Sequence, residues 1–286
     1  MQNPFRHASV ADHSKDKPDL YQACGAPTWV TRGTNFVIAV TRAKEGTRLV
    51  SQNLPDEHFV LLPNAPAHIA AGHENAPAGA NHLVIVPPGD SEITAQAEGL
   101  IVRCYSARNA QLLARAGNLA AFFERADNVA PMQDWPAPRG GFKLRVYNLS
   151  EGLVEGDKTR VYRSSNLMIN ILRERTIARD QRTMSPHHHD DFEQGSITLS
   201  GVHIHYLRTP WGPDLSIWRP DEAVEVGAPS VTVIPPPLIH TTRNLGDGPA
   251  LLVDVFCPPR ADFSLRPGMV RNADEYPLPP GLEPKS

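Results

Sequence analysis

Residues 185–195 read SPHHHDDFEQG, which places three histidines and three carboxylates within eleven residues. Alternate side chains of a strand share one face, so His187 and His189 project together while His188 points away. Glu193 follows His189 by four residues, and a bend between them can return its carboxylate to the two imidazoles. The stretch predicts a metal site or, as the plainer alternative, a surface loop that binds nothing in particular.

A fourth ligand is predicted from a segment farther along the chain. The sequence SVTVIPPPLIHTTRN (230–244) has an apolar strand pattern and a proline-forced turn, followed by His240. Half of the twelve histidines lie between His187 and His240, which a uniform scatter would not produce. Imidazole nitrogens and a carboxylate oxygen suit a borderline divalent ion such as Fe, Mn, Ni, Cu or Zn. We therefore predict four metal ligands: His187, His189, Glu193 and His240.

The spacing of these residues resembles the two motifs of the cupin superfamily. The first motif is matched by His187-x-His189-x3-Glu193 and the second by Pro235-x4-His240-x3-Asn244. Turn positions that carry glycine in the family pattern hold other residues here, namely Gln181, Pro229 and Pro237. These departures concern loop shape, while all four ligand types are present. The resemblance implies a jelly-roll barrel over 142–260 that binds a metal ion.

The rest of the chain has the pattern of an all-β protein. Short apolar runs bounded by Gly, Pro or Asn recur in both halves, and 28 prolines in 286 residues favour turns over helices. The segment LVIVPPGDSE (83–92) echoes VTVIPPPLIH (231–240), which suggests a duplicated unit. Together with the resemblance, the pattern predicts two tandem cupin jelly-roll barrels.

One segment between the two halves has a helical pattern. In NAQLLARAGNLAAFFERADN (109–128) apolar residues recur every three or four positions, and a stretch rich in Pro and Gly follows. We therefore predict four parts of the chain: an N-terminal barrel at 21–108, a linker helix and Pro-rich connector at 109–141, the metal-binding barrel at 142–260, and a C-terminal tail at 261–286.

The N-terminal barrel lacks the residues for the same metal site. Glu92 stands where the second half has His240, and no H-x-H pair precedes it. We therefore expect a barrel without a metal that supports dimerisation or packing, and we predict a homodimer.

Composition excludes several classes of partner. The formal net charge of −3 gives no indication of a nucleic-acid or anionic-membrane partner. The first twenty residues have no apolar core of a signal peptide, and no apolar run approaches eighteen residues. We expect a cytoplasmic protein with a small-molecule substrate.

Several residues are candidates for binding that substrate. Arg173 and Arg175 occupy alternate positions of the predicted strand before the first motif, where an inward guanidinium could bind a carboxylate. Other side chains could form the walls of the pocket, namely Phe192, His203, His205 and Trp218. For each of them the alternative is an ordinary core or solvated residue.

The resemblance implies a range of reactions without selecting one. Cupins with this ligand set include iron dioxygenases, oxalate-degrading manganese enzymes, lyases and isomerases, and a fold does not define a reaction. Our leading hypothesis is an Fe(II)-dependent dioxygenase of a small oxygenated or aromatic acid or diketone, with Mn, Ni, Zn or Cu as alternative ions. The alternatives are a non-oxidative lyase, isomerase or hydrolase, and a non-enzymatic bicupin that binds a metabolite.

Overall fold

The computed structural model describes residues 5–123, 128–151 and 156–282. Nearly all regular structure in these ranges is strand, as predicted. The strands are β1 (Ser9–Ala11), β2 (Leu20–Tyr21), β3 (Pro27–Arg32), β4 (Phe36–Ala43), β5 (Arg48–Leu54), β6 (His58–Leu62), β7 (Ala67–Ala71), β8 (Glu74–Ala78), β9 (His82–Val86), β10 (Gly89–Ala95), β11 (Gly99–Ser106), β12 (Arg145–Asn148), β13 (Thr159–Arg163), β14 (Met168–Leu172), β15 (Gln194–Ser200), β16 (His203–Arg208), β17 (Glu222–Val226), β18 (Ser230–Ile234), β19 (Ile239–Asn244) and β20 (Leu251–Phe256). The described helices are short: α1 (Ala110–Leu113), α2 (Ala261–Ser264) and the 3-10 turns Leu119–Phe122, Gln181–Thr183 and Leu215–Ile217.

The described strands form four sheets, two from each half of the chain. The large N-terminal sheet has the order β12-β9-β6-β11-β4-β3-β2 and is accompanied by a smaller sheet, β5-β10-β7-β8. The large C-terminal sheet has the order β1-β18-β15-β20-β14-β13 and is accompanied by β17-β16-β19. All the strand pairings between these elements are antiparallel, as expected for jelly-roll barrels.

The main hydrophobic core lies between the two large sheets. Phe36 and Ile38 of β4 belong to one buried cluster with Ile197 of β15 and Val253 of β20. A second apolar cluster fills the space between the N-terminal sheets and includes Leu49, Ile69 and Ile93. Because the first cluster contains residues of both halves, packing of the two halves against each other buries apolar surface of each.

Strand pairing crosses the boundaries that the sequence suggested. β1 precedes the predicted N-terminal barrel, yet it pairs with β18 of the large C-terminal sheet. β12 lies inside the predicted C-terminal barrel, yet it pairs with β9 of the large N-terminal sheet. Each half therefore contributes one strand to the large sheet of the other half. A domain boundary at residue 142 would remove β12 from the large N-terminal sheet.

The predicted linker helix over 109–128 is wrong. Only α1 and one 3-10 turn form in its described part, and residues 124–127 lie outside the described residues. The helical conformation ends before Gly117, whose N–H donates to the carbonyl of Val30 at 2.9 Å. The side chain of Asn118 accepts from the N–H of Arg32 and donates to its carbonyl, both at 2.9 Å. Hydrogen bonds to β3 replace those that a continuous helix would make.

The helices in the described ranges are all too short or too polar to cross a membrane.

Candidate metal centre

Two distant segments meet at the predicted metal site. His187 and His240 form an isolated antiparallel bridge, in which the His187 N–H donates to the His240 carbonyl at 3.0 Å and the reverse bond measures 2.7 Å. His240 lies on β19, and His187 lies on the irregular segment before β15. The backbone bridge fixes the two imidazoles beside each other, with ring centroids 4.4 Å apart.

His187, His189 and His240 converge on one point. A ligand nitrogen of each lies within 4.8 Å of those of the other two. The His189 ring centroid is 5.2 Å from that of His187 and 5.1 Å from that of His240. His189 and His240 are buried, with 6% and 2% of their surface exposed, whereas His187 is exposed at the rim. The site is therefore closed on one side and open on the other.

Backbone carbonyls fix the tautomers of two of the imidazoles. The Nδ1 atoms of His187 and His240 lie 3.0 Å and 2.9 Å from the carbonyl oxygens of Ser185 and Leu238. A carbonyl can only accept, so each Nδ1 carries the proton and each Nε2 presents a lone pair. The Nε2 of His240 is buried and has no hydrogen-bond partner among the described residues. An unpartnered buried nitrogen of this kind fits a ligand for a divalent ion.

Burial keeps the inner histidines uncharged. Desolvation lowers the pKa of His189 to about 3 and that of His240 to about 4. For His189 the hydrogen bond to Gln194 acts in the opposite direction, and the neighbouring histidines lower the pKa further. Neutral imidazole is the form that binds metal ions, so the site is ready for an ion near neutral pH.

The structure places Glu193 away from the three imidazoles, contrary to the prediction. Its carboxylate accepts a hydrogen bond from Arg6 Nη1 at 2.7 Å and another from the backbone N–H of Thr34. Glu193 shares strand parity with Gly195 and Ile197, which face the large N-terminal sheet, since a Cβ at Gly195 would lie 2.9 Å from the Phe36 ring. The carboxylate therefore joins the two halves of the chain. The bend that would return it to the histidines does not form.

Gln194 takes the position next to the histidines that we had predicted for Glu193. Its Oε1 lies 3.0 Å from Nε2 of His189, while its Nε2 donates to Asp254 Oδ1 at 3.0 Å and to Ser196 Oγ at 2.9 Å. These two acceptors fix the amide orientation, so the oxygen faces His189. The contact is a hydrogen bond from His189 Nε2–H, and two atoms bound at about 2.1 Å in neighbouring octahedral positions on one ion would be about 3.0 Å apart as well. The amide oxygen is therefore placed to serve as a fourth ligand.

A cavity of about 130 Å³ opens beside the histidines. His187, His240 and Gln194 line it together with Arg173 and Arg175. Both predicted arginines thus lie at the site, although Arg175 follows β14 and bonds Ala250 in an isolated bridge. A third arginine, Arg179, also lines the cavity, and its guanidinium donates to Thr242 O, Thr183 O and Ser185 Oγ. This wall favours an anionic ligand.

Asp254 is a carboxylate on the inner wall of the same cavity. It accepts from Ser196 Oγ at 2.6 Å in addition to Gln194, and Asn170 Nδ2 lies at 3.5 Å. Burial raises the pKa of Asp254 to about 6, against the opposing effect of the Ser196 hydrogen bond and the nearby cations. Asp254 can therefore hold or release a proton near neutral pH.

The four remaining candidates have different surroundings. His203 is buried and lines the cavity, whereas His205 lies deeper and bonds Thr242 Oγ1 at 2.9 Å. Phe192 stacks on His189 at 4.3 Å and lines a separate cleft on the far side of that ring. Trp218 stacks on the exposed Trp211 at 4.6 Å, and neither ring lines the cavity or that cleft. Trp218 is therefore not brought to the site.

Two residues that matter here were not singled out from the sequence: Gln194 and Asp254. The alternation in QGSITLS (194–200) carries a usable signal for the first, because Gln194, Ser196 and Thr198 are polar on one face while Ile197 and Leu199 are apolar on the other. Asp254 interrupts the apolar run LLVDVF on β20, and a carboxylate in such a run needs partners or a function. By contrast, His188 points away as predicted, is exposed, and lies 3.3 Å from Asp190.

Comparison with known proteins shows the fold. No family model matches the chain, and no curated protein matches it. An oxalate decarboxylase variant from Bacillus subtilis is similar with a TM-score of 0.59 and 13% identity over 90% of this chain and 81% of that one. The Lactobacillus farciminis oxalate decarboxylase, in a formate complex, is similar with a TM-score of 0.58 and 14% identity over 88% of this chain and 86% of that one. AerE from Microcystis aeruginosa has a TM-score of 0.53 and 11% identity over 82% of this chain and 93% of that one. The likeness supports a cupin fold for this chain.

Proposed function

We propose that the chain is a mononuclear metal enzyme that acts on a small organic acid. His187, His189 and His240 would hold the ion, with the amide oxygen of Gln194 as a fourth ligand. The observation that carries the proposal is the convergence of three imidazoles, two of which line a cavity that is also lined by three arginines.

The donor set favours an anionic substrate. A divalent ion held there would supply a Lewis acid and, in the case of iron, reactivity toward dioxygen. Three imidazoles and one amide are all uncharged, so these ligands leave the charge of the ion uncompensated. A substrate that brings one or two anionic oxygens is therefore preferred to a neutral one.

The arginines determine how such a substrate lies. Arg173 and Arg175 are exposed at the cavity, and their guanidinium groups make no hydrogen bond to the described part of the chain, so both are available to a carboxylate. Arg179 is held by backbone carbonyls and forms a fixed part of the wall. A cavity of about 130 Å³ restricts the substrate to a small acid, since sites for drug-sized ligands span about 300–1,000 Å³.

The first candidate reaction is oxygen-dependent. We propose an Fe(II)-dependent dioxygenase of a small oxygenated or aromatic acid or diketone that binds through two oxygens, with Mn, Ni, Zn and Cu as alternative ions. Anaerobic purification with Fe(II) and oxygen-electrode assays on catechols, salicylates and β-diketones test it. We expect oxygen uptake with at least one of these classes. Tight Zn or Ni occupancy without oxygen uptake from any of them would contradict this reaction.

The second candidate is a non-oxidative lyase, isomerase or hydrolase. Asp254 favours it, because a cavity carboxylate whose pKa is raised to about 6 can deliver a proton to a carbon or oxygen atom of the substrate. The oxalate decarboxylases of similar fold make a decarboxylation the first reaction to try. Product that forms from a small dicarboxylate without oxygen, and that is lost in Asp254→Asn, would support this candidate over the dioxygenase.

A further inference from the structure

A cleft that is larger than the cavity at the histidines lies in the N-terminal half of the molecule. It has a volume of about 710 Å³ and is bounded by β2, by β5 and by the segment that follows β11. Arg103, Arg108 and Arg115 line it, and none of the described residues that line it is an Asp or a Glu. None of its residues lines the cavity at the histidines. The cleft is therefore separate from the metal centre and cationic.

Arg103 is a buried cation without a counter-ion. Only 3% of its surface is exposed, and within the described part of the chain its side chain donates one hydrogen bond, from Nη2 to Thr41 Oγ1 at 3.4 Å. Its Nε is buried without a partner, and no carboxylate of the described residues lies within ion-pair distance. A buried charge without a partner destabilises the folded state. A bound anion would remove that cost.

The surroundings of Arg103 supply polar atoms but no negative charge. His58 on the adjacent β6 is fully buried, and neither of its ring nitrogens has a partner among the described residues. Its ring stacks on Tyr105 at 4.7 Å, and the Tyr105 hydroxyl is also buried without a partner. The interior of this half thus contains unused donors next to an uncompensated guanidinium.

The other two arginines of the cleft differ in their pairing. Arg108 is neutralised by Asp56 at 2.9 Å and Asp134 at 2.7 Å. Arg115 is exposed and forms no ion pair with the described residues. One buried and one exposed cation are therefore free to bind a ligand.

The remaining lining is partly apolar and open to solvent. Tyr21 and Val50 face the cleft with 66% and 55% of their surface exposed, and Leu54 and Leu112 also line it. We propose that this cleft is a second binding site, for an organic anion whose carboxylate or phosphate group pairs with Arg103 and whose apolar part lies along Tyr21 and Val50. The site depends neither on the metal ion nor on the reaction proposed above.

Isothermal titration calorimetry with defined probes tests the site. Hexanoate and phenyl phosphate present the two anionic groups on an apolar body, and 1-hexanol is the uncharged control. Wild-type protein and His187→Ala are titrated in parallel, because a carboxylate could also bind at the metal centre. We expect a binding event with hexanoate or phenyl phosphate that is present in both proteins, and the tighter probe identifies the anionic group.

Variants of the cleft residues complete the experiment. Arg103→Met should weaken binding by about tenfold or more and Arg115→Gln by a few-fold, while Arg42→Gln, an exposed arginine of the same half outside the cleft, should bind as wild type. Because Met removes an unpaired buried charge, Arg103→Met should fold. If it does not fold, the affinities of Arg115→Gln and Arg103→Lys test the site instead. The proposal would be overturned if neither probe bound or if 1-hexanol bound equally well. It would also be overturned if binding were lost in His187→Ala or if the affinity were unchanged in the cleft variants.

Discussion

His187 and His240 each donate an Nδ1 proton to a backbone carbonyl two residues earlier in the chain, which aims both Nε2 lone pairs at the same point. The motif spacing was sufficient to predict that these two residues and His189 lie together, whereas the predicted strand alternation does not form, because His187 and His189 lie on an irregular segment. The residue predicted as the fourth ligand does not lie with them. Glu193 and Gln194 are adjacent, and only the start of β15 at Gln194 decides which of them faces the cavity. A shift of one residue exchanges the faces, and the composition around 190–194 does not specify that register.

The roles of these two neighbours can be separated by substitution. We expect Gln194→Ala to weaken metal binding by about 10- to 100-fold, because the variant lacks the amide oxygen beside His189. We expect Glu193→Gln to retain the metal but to lower the free energy of unfolding by about 1–3 kcal/mol, because the buried Arg6 loses its charged partner. Metal content and urea titrations of the two variants measure both effects. The reverse result, with metal lost in Glu193→Gln, would restore the original prediction.

Under the proposed function, Arg173 and Arg175 determine the affinity for the substrate rather than for the metal ion. Substitution of either by Gln should raise KM for an acidic substrate by about 10- to 100-fold with a smaller change in kcat, since each charged hydrogen bond to a carboxylate contributes about 1.5–3 kcal/mol. Arg182→Gln is the matched control, because its side chain is 91% exposed and does not line the cavity. The same KM in all three variants would exclude the arginines from substrate binding.

Among the secondary-structure elements, the strands were predicted well and the linker helix was not. Short apolar runs bounded by Gly, Pro and Asn became β4, β6, β9 and β11, because both faces of these strands are buried and the pattern is strong. The segment 109–128 has apolar residues at helical spacing, but Leu112, Leu113 and Ala116 pack on Val30 and Tyr105 from a short helix and turns. Tertiary hydrogen bonds decided its conformation, and periodicity contains no information about them.

Asn118 fastens this segment to β3. Its side chain bonds the N–H and the carbonyl of Arg32, and its Nδ2 also donates to Ser9 Oγ at 3.0 Å. We expect Asn118→Ala to lower the free energy of unfolding by about 1–3 kcal/mol, since partly buried backbone groups lose their partners. Gln111→Ala, an exposed change in α1, should have an effect within about 0.5 kcal/mol. Equal urea midpoints for the two variants would show that the segment is not held in this way.

At the scale of the whole molecule, the two halves are joined more closely than tandem barrels with a linker. β1 and β12 each pair with the sheet of the other half, and the largest core lies between the two large sheets. The sequence could predict two similar halves from the echo between 83–92 and 231–240. It could not predict the exchange of strands, because pairing between residues 60 or more positions apart, and more than 200 for β1 and β18, leaves no local pattern. The homodimer stays a prediction.

Buried histidines make the stability of the molecule dependent on pH. Burial lowers the pKa of His58 to about 3 and that of His13 to about 4, and the charge of Arg103 lowers that of His58 further. In the unfolded chain these histidines take up protons below their usual pKa of about 6.5, while in the folded chain their rings stay neutral. Stability should therefore be lost as pH falls from about 6.5 toward 4, by about 1.4 kcal/mol per pH unit for each such histidine.

His58→Phe tests this dependence in the N-terminal half, away from the metal ligands. The variant should show a shallower loss of stability between about pH 6.5 and 4.5, because one proton fewer is taken up on unfolding. Urea titrations at several pH values measure the slope, and His73→Asn, at an exposed position, should keep the wild-type slope. An unchanged slope in His58→Phe would show that His58 is not buried in its neutral form.

X-ray absorption spectroscopy of protein loaded with one equivalent of Fe(II) identifies the atoms that bind the ion. The fine structure counts the imidazoles on the ion and separates nitrogen and oxygen ligands from sulfur. We predict about three imidazoles with nitrogen and oxygen ligands at about 2.0–2.2 Å and no sulfur, the same spectrum in His188→Ala, and loss of one imidazole in His240→Ala. An ion with fewer than two imidazoles, a sulfur ligand, or an unchanged spectrum in His240→Ala would contradict the account.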